Sequence, residues 1–177
     1  DDLVVDGRAR RVGGLRAGGD DDLPGQHLFV AALDLPARIG LAVPAYSSAQ
    51  RCLDLTAAWC RDRETFGRPL ISRQAVQNTL AEMARRIDVA RVYSRTVVER
   101  YVAGDTNLIT EVCFAKNTAV EAGEGVVTQA VQMFGGMGYM TECEVERQYR
   151  DMRILGIGGG TSEIMTGLAA KALGYTA

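Results

Sequence analysis

The sequence holds one histidine, four prolines, four cysteines without a C-x-x-C pair, and only 6% aromatic residues. Each scarcity removes a class of function. His27 alone cannot complete a zinc site of the usual kind, and Cys52, Cys60, Cys113 and Cys143 are too scattered to do so without it, so no metal site is expected. The cysteines read as free, buried thiols of a reducing, cytoplasmic setting. No apolar run approaches the roughly 18 residues that span a bilayer, and no signal peptide is evident, so membrane insertion is not expected. The 20 basic and 22 acidic side chains leave a net charge of −2, which gives no global field for nucleic acid. What is present is ordinary for one globular domain of 177 residues with a sizeable core: 47% hydrophobic and 24% charged residues. The sequence starts at Asp1 without a methionine, which reads as a fragment or a truncated chain.

Residues 1–25 are polar, glycine-rich and without periodicity, and read as a linker or the remnant of a preceding segment. The acidic run Asp20 to Asp22 lacks calcium-loop spacing and reads as a solvated loop. From Leu28 to Arg61 apolar residues recur at helical spacing, with Pro36 and Pro44 expected to kink the helix or delay its start. The stretch RETFGRP, Arg63 to Pro69, is a break. Ser72 is then expected to cap a long helix with a seam at Val76, Leu80, Met83, Ile87, Ala90, Ser94, Val97 and Tyr101. A third helix is predicted from Leu108 to Phe134, with a small-residue stripe at Ala115, Ala119 and Ala122 that lets a neighbour approach. The cluster Phe134 to Tyr139 (FGGMGY) ends it with glycines suited to positive φ. A short helical piece, Glu144 to Arg150, and a last helix, Thr161 to Leu173, complete an all-α, antiparallel four-helix bundle with no convincing sheet. Arg147, Arg150, Asp151 and Arg153 read as a solvated, salt-bridged face.

Four glycines crowd into Gly156, Gly158, Gly159 and Gly160, just ahead of the last helix. A dinucleotide fingerprint counted from Gly156 would need its sixth-position glycine at Thr161, after a core strand, and a phosphate-binding loop would need Gly-Lys-Ser/Thr; neither is here. Two readings stay open on local sequence: a loop that brings backbone N–H groups against an anion or an electron-rich ring edge, or a turn shaped for packing only.

Four ordered stretches, RETFGRPLISRQ (63–74), QMFGGMGY (132–139), Arg150-Asp151 and IGGGTSEI (157–164), make residues 26–177 resemble the C-terminal helical domain of the acyl-CoA dehydrogenases. The resemblance implies an FAD flavoprotein of lipid metabolism and fatty acid β-oxidation that dehydrogenates acyl-CoA thioesters as a homo- or hetero-oligomer, a dimer of dimers. In that family the helical domain follows an N-terminal helical domain and a β-domain, and residues 1–25 would be a remnant of the latter. By the same resemblance Arg63 reaches the pyrophosphate of the partner subunit's flavin, with Phe66 beside it. Gln74, Gln132, Gly135 and Gly136 line the adenine and pyrophosphate end of that flavin. Thr161 and Glu163 touch the subunit's own FAD, Arg38 lies near the acyl-CoA, and the loop containing Gly160 runs beside the thioester.

The family's catalytic base is a glutamate. Most members carry it immediately before the Gly-Thr of the last loop, here Gly159; others place it on the first helix of this domain, just before an arginine, here Ala37. Both positions lack a carboxylate, and Glu163, the nearest in sequence, is a weak substitute base. The expected function is therefore an acyl-CoA dehydrogenase present as its C-terminal part, inactive alone. The alternatives are a non-catalytic partner that completes another subunit's FAD site, or a flavin monooxygenase of the same fold.

Overall fold

The structure is a computed structural model and describes residues 35–175. The expectations for residues 1–25, for His27 and for a helix start at Leu28 lie outside the described residues. Helix α1 spans Leu35–Asp62, with Ile39, Ala42, Ala45, Ala49, Cys52, Thr56 and Cys60 buried at steps of three and four, one continuous face. Pro44 does not break it. Its ring is exposed, and the Gly40 carbonyl that loses its helical donor belongs to an exposed residue.

Helix α2, Gln74–Val102, buries the expected seam at Met83, Ile87, Ala90, Ser94 and Val97, while Tyr101 emerges at its end, 40% exposed. Ser72 is not its cap: Arg73 holds that position without a side-chain capping bond to the helix, and the Ser72 hydroxyl instead donates to the Pro69 carbonyl at 2.7 Å. Helix α3, Ile109–Phe134, is the central strut and packs against every other helix described. Its small stripe is buried as expected, and Gly123 approaches α1 so closely that a Cβ there would stand 3.3 Å from the Ala45 carbonyl. Small residues buy that approach.

The remaining strut is two short helices, α4 (Glu144–Leu155) and α5 (Ser162–Ala172), separated by the glycine cluster. Cross-contacts fix the directions. Trp59 stacks on Phe134 near the ends of α1 and α3, so these run parallel. Arg100 pairs with Glu111 while Arg86 abuts Gly125, so α2 runs antiparallel to α3. Met152 meets Gly123, and Met165 and Ala169 meet Cys113, so α4 and α5 run back along α3 in turn. The result is an up-down four-helix bundle whose last strut is broken in the middle.

Between α1 and α2 lies a two-residue antiparallel ladder, β1 (Glu64–Thr65) against β2 (Arg68–Pro69), the one departure from an all-helical reading among the described residues. Phe66 and Gly67 form its turn with φ of 51° and 75°, the combination that suits the twist of a tight hairpin.

Arg51 of α1 and Glu144 of α4 meet in a two-point pair at 2.9 and 2.8 Å. Hydrogen bonding to the Arg51 guanidinium holds the Glu144 carboxyl below its ordinary value of 4.5. A carboxylate depressed on folding adds stability that is complete above the ordinary value and lost as pH falls through the folded one. Arg51→Met is therefore expected to lower Tm slightly at neutral pH and to make the acid limb below about pH 4.5 shallower, as followed by circular dichroism melts. An equally steep acid limb in both proteins would remove this pair from the account.

Candidate functional site

The glycine cluster turns the chain from α4 into α5. The Gly158 N–H donates to the Ile154 carbonyl at 2.7 Å, then Gly159 and Gly160 take φ of 64° and 101°. An L-residue pays for that region, and space is short as well: a Cβ on Gly159 would stand 2.6 Å from Leu41 Cδ1 of α1, and one on Gly160 3.2 Å from Met165 Sδ. Thr161 is the cap of α5, its hydroxyl accepting from the Ile164 N–H at 3.4 Å. Glu163 therefore sits one residue earlier in the helix than a cap at Gly160 would place it. It is exposed, and its carboxyl is held below the ordinary range by the Thr161 hydroxyl and by its own N–H, with Arg153 assisting.

Beneath the loop lies a group that sequence reading missed. Lys116 of α3 is fully buried, and its Nζ donates to the Gly160 carbonyl. Burial pulls its ammonium pKa down, and the neighbouring Arg38 adds to the shift. The next residue, Asn117, donates from Nδ2 to the Ser162 carbonyl at 3.0 Å and to Thr166 Oγ1 at 3.1 Å. Arg38 is half-buried on α1, with Nη1 3.5 Å from Met165 Sδ. Burial also pushes the Cys113 thiol up, which makes it a poor nucleophile. One signal for Lys116 was legible: it falls on the apolar stripe of α3, between Val112, Cys113 and Ala119, where a solvated lysine has no place.

The second set of expected site residues lies at the far end of α1. Arg63 follows the helix directly and is exposed, with its guanidinium carbon 6.0 Å from the Trp59 ring centroid; Trp59 itself stacks on Phe134 at 4.9 Å. Phe66 is 98% exposed, carries a positive φ, and lies 5.5 Å from the Arg73 guanidinium, which donates to Thr65. Such an exposed aromatic on a strained turn marks a contact surface. Gln74 opens α2, exposed, its amide bonded to Asn78 at 2.8 Å, and Gln132 is exposed in the last turn of α3. Of the neighbouring glycines read as suited to a positive φ, Gly135 adopts one, 61°, whereas Gly136 and Gly138 do not. Gly135 and Gly136 are exposed with nothing within 4 Å of an added Cβ, a surface open to a flat ligand.

The structure thus gathers Ala37, Arg38, Gly159, Gly160, Thr161 and Glu163 at one end of α1, and Arg63, Phe66, Gln74, Gln132, Gly135 and Gly136 at the other. Ala37 is exposed beside Arg38. Arg150 pairs with Glu146 at 2.6 Å and Arg153 with Glu124 at 2.7 Å; both line a groove of about 470 Å³ between α3 and α4, the salt-bridged face expected. Cys52, Cys60 and Cys113 are buried free thiols, whereas Cys143 is half-buried. Among the described residues no helix is long and apolar enough to cross a membrane, and no three His, Cys, Asp or Glu side chains gather as metal ligands.

The chain belongs to the acyl-CoA dehydrogenase family: the family's C-terminal domain matches residues 25–174. It is 39% identical over 155 residues to the probable acyl-CoA dehydrogenase YngJ of Bacillus subtilis, covering 86% of this chain and 40% of that protein. It is 40% identical over 144 residues to the human mitochondrial short-chain specific acyl-CoA dehydrogenase, covering 80% and 34%. A Mycobacterium smegmatis crystal structure named as an acyl-CoA dehydrogenase superposes with a TM-score of 0.83 at 74% identity, covering 86% of this chain and 40% of that one. The chain therefore spans about a third to two fifths of the length of these relatives.

Proposed function

We propose that residues 26–177 are the C-terminal helical domain of an FAD-dependent acyl-CoA dehydrogenase acting in fatty acid β-oxidation, and that the domain serves two flavins in an oligomer. Residues 1–25 are then the linker or remnant of the preceding β-domain. The reading rests on one observation: Arg38 and Asp62 belong to a single helix, about 36 Å apart along its axis at the usual helical rise. No single dinucleotide spans that distance, so the two sets of residues must face different ligands.

The residues suit the cofactor. Arg63, exposed and steadied over Trp59, presents a planar fork of donors to a diphosphate, and the open backbone at Gly135 and Gly136 admits a flat group without a Cβ in its way. These, with Phe66, Gln74 and Gln132, would hold the flavin of the partner subunit. At the other end Thr161 and Glu163 would meet the dinucleotide of the subunit's own flavin, and Arg38 and the Gly160 loop would lie along the acyl-CoA. Bound FAD supplies the acceptor for the hydride leaving the acyl β-carbon.

What this chain withholds is the proton acceptor. Ala37 and Gly159 carry no carboxylate, and Glu163 is a poor substitute because it is exposed in the first turn of α5, with its carboxyl engaged by the Thr161 hydroxyl. That observation favours a second reading: a non-catalytic subunit that completes the flavin site of an active partner. A monooxygenase of the same fold, which needs no such base, is the third. The buried thiols suit a reducing, cytoplasmic compartment.

Arg63→Gln in the reconstituted oligomer is expected to weaken FAD binding roughly tenfold or more, the scale of a lost charge-assisted contact, as read from flavin fluorescence on titration. Unchanged affinity would refute the assignment of this end to flavin. Bleaching of the bound flavin by acyl-CoA then separates dehydrogenase from silent partner, and oxygen uptake by the reduced flavin identifies a monooxygenase. The 177-residue chain alone should purify without stoichiometric yellow cofactor, because most of each flavin site lies outside it.

A further inference from the structure

We infer that Lys116 and Asn117 are positioning residues: a two-point clamp by which α3 fixes the entry of α5 and aims its first free N–H groups outward. Two adjacent side chains grip the backbone on either side of the cap residue Thr161. Lys116 Nζ holds the Gly160 carbonyl, and Asn117 Nδ2 holds the Ser162 carbonyl at 3.0 Å. In a trans peptide the C=O and the following N–H point opposite ways. With the Gly160 carbonyl turned in to α3, the Thr161 N–H is turned away from it. With the Ser162 carbonyl held along the helix, the Glu163 N–H points out of the N-terminal end.

The clamp adds to few other restraints on this turn, chiefly the Gly158 N–H on the Ile154 carbonyl at 2.7 Å and the Thr166 hydroxyl on the Ser162 carbonyl at 2.8 Å. Gly159 and Gly160 sit at φ of 64° and 101°, which a glycine leaves as readily as it enters. The cap bond from Ile164 to Thr161 is long, 3.4 Å. Lys116 is a costly way to supply a donor: it is fully buried, beside Arg38, and shifted toward the neutral form. A buried ammonium that burdens the fold yet bonds one loop carbonyl is placed for geometry, not for stability. The outward amides acquire their use, facing a dinucleotide, only on the reading proposed above.

The test needs neither flavin nor acyl-CoA, so it stands or falls apart from that reading. Amide hydrogen exchange of the 177-residue chain is compared for the unaltered protein, Lys116→Met and Asn117→Ala, together with thermal melts. The Met165 amide, bonded to the Thr161 carbonyl at 2.9 Å, and the Gly158 amide report on the turn; Ile87 to Val97 of α2 report on the bundle. Each substitution should speed exchange at Gly158 and Met165 about tenfold or more while α2 is unchanged, and Lys116→Met should leave Tm equal or higher. Equal protection of the turn in either variant overturns the clamp. So does acceleration spread evenly through α2, which would make these residues ordinary supports of the bundle. Should Lys116→Met fail to fold, Lys116→Gln and the half-buried Asn117→Ala decide by the same criteria.

Discussion

Installing a carboxylate by Ala37→Glu is expected to raise the rate of flavin reduction by acyl-CoA in the reconstituted oligomer by roughly a hundred- to ten-thousand-fold, the contribution of a positioned general base. The substitution is structurally easy. Ala37 is exposed on α1, glutamate suits a helix, and Arg38 already follows it. Gly159→Glu, the other family position, should fare worse. Its backbone is at φ 64°, where an L-residue costs about 1–2 kcal/mol, and its Cβ would displace Leu41, 2.6 Å away. The pair therefore makes a ranked forecast: a large gain for Ala37→Glu, a smaller gain with a lower Tm for Gly159→Glu. Anaerobic bleaching with a panel of acyl-CoAs reads both. Rapid bleaching by the unaltered protein that is abolished by Glu163→Gln alone would make Glu163 the base and overturn the reading of the two empty positions.

The second large effect concerns Gly138. A Cβ there would stand 2.7 Å from the Val131 carbonyl and 2.8 Å from Phe134 Cβ, both backbone-anchored atoms that cannot rotate aside. Gly138→Ala should cost about 1–3 kcal/mol as overpacking, a Tm loss of roughly 3–10 °C for a chain of this size. Gly136→Ala, two residues earlier, meets nothing within 4 Å and lacks a positive φ, so its Tm should match the unaltered protein or rise slightly. Differential scanning calorimetry of the two decides it. Similar melting points would mean that the cluster gives way locally and that contact at Gly138 does not support the fold. A shift at Gly138 should also loosen Phe134 and with it the stack on Trp59 that steadies Arg63.

Periodicity, together with the glycine and proline breaks, marked the helices of this protein, though it ended α4 at Arg150 where the helix runs on to Leu155. The seam of α2 and the small stripe of α3 follow from which side chains must leave water, and a helix turns that requirement into a spacing visible in one dimension. The ordered motifs likewise pointed to the family, since glycines and arginines mark where a backbone or a charge must meet something else. The tertiary structure decided what depends on neighbours distant in sequence. It let α1 run through Pro44, because the exposed side of that helix is settled only when α3 packs on the other. It showed that Gly135 is a glycine of conformation and Gly138 one of space, a difference set by the Val131 carbonyl. It set Lys116 under Gly160 and Asn117 under Ser162, across more than forty residues of chain. A hydrogen bond to a backbone carbonyl carries no signature in the residue that receives it, so such a clamp appears only when the helices are brought together.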